Sequence, residues 1–233
     1  MRAIVGRLAP IPVIAALSWP AGAGIKNAWG EGPRAQRLVA AAIERTRHFV
    51  TYDGSYQRIA YPGGDVTAGR GVCSDVVIRA YRAGLGIDLQ ERVHEDMKQA
   101  FADYPAIWGL SRPDANIDHR RVANLEVFFS RHGQRLPVTR NADDYRPGDL
   151  VTWRLGGRLP HIGIVTDRRS PDGRRPLMAH NIGRGPKLED MLLDHPIAGH
   201  FRYMLDELPQ TDGPTERGLS PHTWPAAARG GNR

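Results

Sequence analysis

The sequence predicts an α+β fold, with a helical N-terminal half and an antiparallel sheet in the C-terminal half. Three observations predict it. Between residues 33 and 132, apolar residues recur at helical spacing in successive stretches. After Gly133 the period changes to short, β-branched, partly alternating runs bounded by Gly, Pro and Asp. Helices followed by strands, rather than the two interleaved, argue for helices packed on an antiparallel sheet. The composition of the 233 residues, 41% hydrophobic and 24% charged, supplies a core for one domain.

Taken in order, residues 33–50 read as a helix with Leu38, Ala41, Ala42 and Ile43 on its apolar stripe. Residues 51–71 are rich in glycine and read as loop, carrying Tyr52, Tyr56 and Tyr61. A second helix is expected from about Ser74, with Val77, Ala80 and Tyr81 at helical spacing and Gly84 or Gly86 as its stop. A third is expected from about Asp88, where Leu89, Val93, Met97 and Phe101 recur every four residues. A fourth spans about His119 to His132, with Val122, Leu125 and Phe129 on one face. Strands are expected at 149–155 (DLVTWRL), 161–167 (HIGIVTD), 176–182 (PLMAHNI) and 199–205 (GHFRYML). Residues 206–233 hold Pro209, Pro214, Pro221 and Pro225 and read as a flexible tail.

The first 23 residues carry Arg2 and Arg7, a short apolar run, then Ala21-Gly22-Ala23. That is the order of a secretory signal. The run is short and broken by Pro10 and Pro12, unlike a membrane span. The mature domain is therefore expected over 24–205, exported to a periplasmic or extracellular compartment. The net charge of +7 is carried mostly by arginines spread along the chain. Scattered charge reads as a solvated surface rather than a nucleic-acid footprint.

Cys73 is the only cysteine. In an exported chain it has no internal disulfide partner, so it is an intermolecular partner, a buried residue or a reactive thiol. Its place at the start of a helix favours the last, because unpaired N–H groups and the helix dipole stabilise a thiolate there. A thiol nucleophile needs a base. His161 opens the apolar run HIGIV, and His180 lies on the next expected strand, where antiparallel pairing sets it beside His161 to hold the ring.

These residues carry a resemblance. GVCSD opening a helix, then RPGDLVTW, HIGIV and MAHN, is similar to NlpC-type papain-like cysteine peptidases and the related CHAP amidases of bacterial cell walls. The resemblance implies Cys73 as nucleophile, His161 as base and His180 as orienter, with Asn181 as the neighbour that takes the last role instead. It implies a papain-like cysteine hydrolase, an amidase or endopeptidase, that cleaves a peptidoglycan amide through a thioester without a cofactor. Delivery of the acyl group to an amine or hydroxyl would make it a transferase with the same dyad. A non-catalytic cell-wall-binding module is the reading from another class. Nearly the whole mature domain, including the stretches 52–97, 116–129 and 180–192, also resembles an exported bacterial family known as domain of unknown function 1287.

The chain departs from the NlpC pattern. Ser74 and Asp75 follow the cysteine where that pattern has small residues, and the helices carrying His94 and His119 are additional. These helices are expected to wall the substrate cleft. Asp75 and Tyr61 are candidate substrate contacts there. Arg120 and Arg121 either hold a substrate carboxylate or form a solvated helix face. HEDM (94–97) lacks the second histidine of a zinc helix, and no metal site is expected.

Overall fold

The computed structural model describes residues 32–203. The expected signal segment, 1–23, and the expected tail, 206–233, lie outside the described residues. Among them are four α-helices, α1 (Pro33–Arg45), α2 (Cys73–Leu85), α3 (Leu89–Ala100) and α4 (Val122–His132). The strands are β1 (Thr51–Tyr52), β2 (Arg70–Gly71), β3 (Gln134–Arg135), β4 (Leu150–Leu155), β5 (Leu159–Arg169), β6 (Pro176–Asn181), β7 (Pro186–Glu189) and β8 (Ile197–Arg202). No helix among the described residues is long and apolar enough to cross a membrane.

The fold is mixed α+β. Strands β3 to β8 form one sheet in the order β3-β8-β4-β5-β6-β7, with antiparallel neighbours. Strands β1 and β2 form a separate parallel pair. The expected helices and the four expected strands are present. The short strands β1, β2, β3 and β7 had no signal: two to four residues are too few to show a period, and they exist because a partner strand supplies their hydrogen bonds.

Helix α2 is the centre of the molecule. Every residue from Cys73 to Tyr81 is buried, and the polar stripe of Asp75, Arg79 and Arg82 meets protein partners, Arg120, Asp65 and Asp88, rather than open solvent. Gly86 ends it in the left-handed conformation, with φ +66°. Gly84 serves packing instead: a Cβ there would stand 2.7 Å from the carbonyl oxygen of Arg37 in α1.

The sheet is buried on both faces by alternation along its strands. Leu150, Ile162, Ile164, Ala179 and Phe201 join the helices in one apolar cluster. Val151, Trp153, Val165 and Met178 form a second, with Met191 and Leu192. The latter two lie on the crossover from edge strand β7 to β8, and the Trp153 indole N–H donates to the Leu192 carbonyl at 3.0 Å. Each such large apolar side chain contributes about 1.5–3 kcal/mol on burial. The two clusters together hold β4, β5 and β6 rigid, and those strands carry the histidines.

Candidate active site

The site begins at the first turn of α2. Asp75, at the third helical position, accepts the Val72 backbone N–H at 2.6 Å, satisfying one of the unpaired donors of the helix start. The same carboxylate takes two parallel bonds, both 2.9 Å, from the Arg120 guanidinium. Both side chains are almost wholly buried. Arg120 then donates to the carbonyls of Asp53 at 3.1 Å and Ser55 at 3.3 Å, and Ser74 Oγ donates to the Arg120 carbonyl at 2.7 Å. This corrects the expectation for Asp75 and Arg120. Their polar atoms are spent on one another and on the 53–55 loop, so they brace the site rather than meet a substrate carboxylate.

Cys73 is 4% exposed. The β5–β6 ladder stops at Ile164–Ala179. Beyond it, the Ile162 backbone N–H faces the Cys73 sulfur, and the Ser74 N–H supports the sulfur from the helix side. Tyr52 hydrogen-bonds the thiol as well. The parallel pairing of Tyr52 with Gly71 brings it there, two residues before the cysteine. Burial nevertheless dominates and pushes the thiol up to about 11; the backbone N–H groups and Tyr52 oppose this, while Asp75 adds to it. Burial, then the adjoining Cys73, pushes the Tyr52 hydroxyl up to about 12. The stabilised thiolate expected from the helix start is not the resting form, because removal from water outweighs the donors.

His161 and His180 meet as the strand pairing predicted. His161 Nε2 and His180 Nδ1 are 3.0 Å apart, with ring planes at 87°. The His161 ring also lies against Trp153, its cross-strand partner, at 5.7 Å between centroids. Both histidines are buried. Burial, then the neighbouring His180 and His195, lowers His161 to about 3. Burial also lowers His180, against the pull of Glu189. Both rings are therefore neutral at physiological pH. Glu189 Oε2 lies 2.9 Å from His180 Nε2, although the approach is too oblique for a well-aligned hydrogen bond.

Gly163 makes the histidine contact possible. A Cβ at that position would crowd the His180 Cβ and the Ala179 carbonyl, both at 3.1 Å. Asn181, next along β6, takes the opposite face of the strand. Its Oδ1 accepts the Gly183 N–H at 3.0 Å, and its Nδ2 is buried with no partner among the described residues. His180, not Asn181, touches His161. Tyr61 donates to Glu95 of α3 at 2.5 Å and packs edge-on against His94; of the three loop tyrosines, Tyr52 is the one at the thiol. Arg121 pairs with Asp118 at 2.8 Å and lies over the Trp108 ring at 4.2 Å.

Glu189 escaped the sequence reading, and Tyr52 was read there only as one of three loop tyrosines lining the cleft or anchoring the loop. Glu189 had a signal: the glycine-rich turn 182–185 between MAHN and PKLE implies a hairpin, which pairs Met178 with Glu189 and His180 with Lys187. Alternation then puts Glu189 on the face of His180. Tyr52 had none beyond its loop, since its approach depends on a two-residue strand.

The fold and site together define a mixed α+β protein with a lone thiol at a helix start, set against a strand that carries a paired histidine. Residues 39–203 match the family described as "Domain of unknown function (DUF1287)", and the chain belongs to that family. It is 54% identical over 154 residues to "Uncharacterized protein YijF" of Escherichia coli (strain K12), a match covering 66% of this chain and 74% of that protein.

Proposed function

We propose that the protein is an exported cysteine hydrolase of papain-like type that cleaves an amide bond of peptidoglycan. The observation that carries the reading is the convergence of Cys73 with the strand of His161, whose ring is held at 3.0 Å by His180. A lone thiolate or a lone imidazolium is disfavoured in this dry setting. Moving the proton from Cys73 to His161 creates the two together, and each charge then offsets the cost of the other.

In this mechanism the Cys73 sulfur attacks the amide carbonyl carbon as His161 takes the thiol proton. The C–N bond breaks as His161 returns that proton to the leaving amine, giving a thioester. His161 then deprotonates a water, which attacks the thioester carbonyl and releases the acid and the Cys73 thiol. Backbone N–H groups at the start of α2 and the Tyr52 hydroxyl are the donors available to the oxyanion. The wall substrate is supported by the signal-like N-terminus and the similarity to cell-wall amidases. Purified sacculi incubated with the protein should release fragments carrying a new carboxyl and a new amine, identified by mass, and Cys73→Ala should release none. Equal release by Cys73→Ala would remove the hydrolase reading.

A further inference from the structure

We infer that Glu189 is a positioning residue that fixes the tautomers of His180 and His161 and so leaves Nδ1 of His161 as the basic nitrogen. Two facing ring nitrogens at 3.0 Å can share one proton in either direction. In one arrangement His161 Nε2–H donates to His180 Nδ1, and His161 keeps its lone pair on Nδ1. In the other, His180 Nδ1–H donates to His161 Nε2, and the His161 proton sits on Nδ1. The second arrangement consumes the lone pair of the base. The contact between the two histidines alone does not choose.

Glu189 chooses. Its Oε2 stands 2.9 Å from His180 Nε2. A lone pair on that nitrogen would face a carboxylate, whereas an N–H there is attracted to it, even obliquely. With the proton on Nε2 and the ring neutral, His180 Nδ1 is an acceptor and takes the His161 Nε2–H. Lys187 Nζ, 2.5 Å from Glu189 Oε1, is the cation paired with Glu189; His195 is the other titratable group facing the pair. Hydrogen bonding thus runs from His161 Nε2–H to His180 Nδ1 and from His180 Nε2–H toward Glu189, across three neighbouring strands. The consequence for turnover rests on the hydrolase reading; the tautomers do not.

Nitrogen-15 NMR of the histidine rings, on the full chain near pH 7.5, reads this directly. His161 and His180 are both expected as Nε2–H tautomers. In Glu189→Leu, the His180 signals should shift toward a mixture with the Nδ1–H form, and His161 should follow. Glu189→Gln, which keeps an acceptor oxygen without the charge, should lie between. On sacculi, Glu189→Leu should lower kcat roughly 10–100-fold with little change in KM, by analogy with the loss of hydrogen-bond partners behind metal-bound histidines. An Nδ1–H tautomer of His180 in the unaltered protein overturns the inference, and that measurement needs no variant to fold. So does a folded Glu189→Leu with unchanged tautomers. The expected tautomers in a protein inactive on sacculi support the inference and count against the hydrolase reading instead.

Discussion

At the scale of single residues the site sets chemistry against solvation. A helix start offers a sulfur two or three donors, but Cys73 is so thoroughly covered that the neutral thiol wins, and its group is pushed up to about 11. Alkylation by iodoacetamide should therefore be slow at pH 7–9 and rise toward pH 11, where a free cysteine, near 8.5, is already fully reactive. A rate plateau below pH 7 would show a resting thiolate–imidazolium pair and overturn this. His161→Ala should lower turnover on sacculi by about 10²–10⁴-fold, the usual range for a lost general base. His180→Ala should cost less, and His180→Asn less again, since an amide oxygen can still accept the His161 N–H. Initial rates of the three variants on one substrate check the order. Full activity in His161→Ala would show that another group accepts the thiol proton.

At the scale of elements, the Asp75–Arg120 pair joins the start of α2 to the loop after β1, and so holds Tyr52 against the sulfur. It is buried and bidentate. Removing one partner of such a pair strands the other charge, at a cost of about 3–5 kcal/mol. Arg120→Ala should lower the free energy of unfolding by that amount, read from a lower denaturant midpoint at unchanged m. Asp75→Leu/Arg120→Met should recover part of the loss, because no charge is then left buried. If Arg120→Ala leaves the midpoint unchanged but raises KM, Arg120 is a substrate contact after all. The contrast shows what was legible. Cys73 stood out by its helix start, and His161 and His180 because two strands with strong apolar runs set them side by side. Arg120 was misjudged because its partner lies 45 residues away, and no periodicity in a helical window reports which end of the fold a guanidinium will reach. Glu189 was recoverable from the 182–185 turn. Tyr52 was not, because a strand of two residues has no pattern of its own.

At the scale of the whole molecule, burying neutral histidines ties the fold to pH. Burial, with Arg120 adding to it, lowers His119 to about 4, and its Nδ1 has no partner among the described residues. His161 lies near 3. An unfolded chain binds a proton at each of these histidines below about pH 6.5, while the folded chain does not until pH 3 to 4. Between those limits the unfolded state holds more protons, so stability falls as pH falls. Each histidine contributes a slope of about 1.4 kcal/mol per pH unit, or roughly 3 kcal/mol each between pH 6.5 and 4. Together they amount to a large part of the ~5–15 kcal/mol that holds an ordinary domain folded. Urea unfolding followed from pH 7.5 down to 4 should show a midpoint that is flat above pH 7 and falls steeply below 6. His119→Gln should flatten part of the fall, and it leaves the Cys73, His161 and His180 side chains intact. A midpoint that stays level down to pH 4.5 in the unaltered protein would mean that His119 and His161 take up protons while folded. In that case His161 would be cationic in mild acid, and the thiol would face an imidazolium instead of a base.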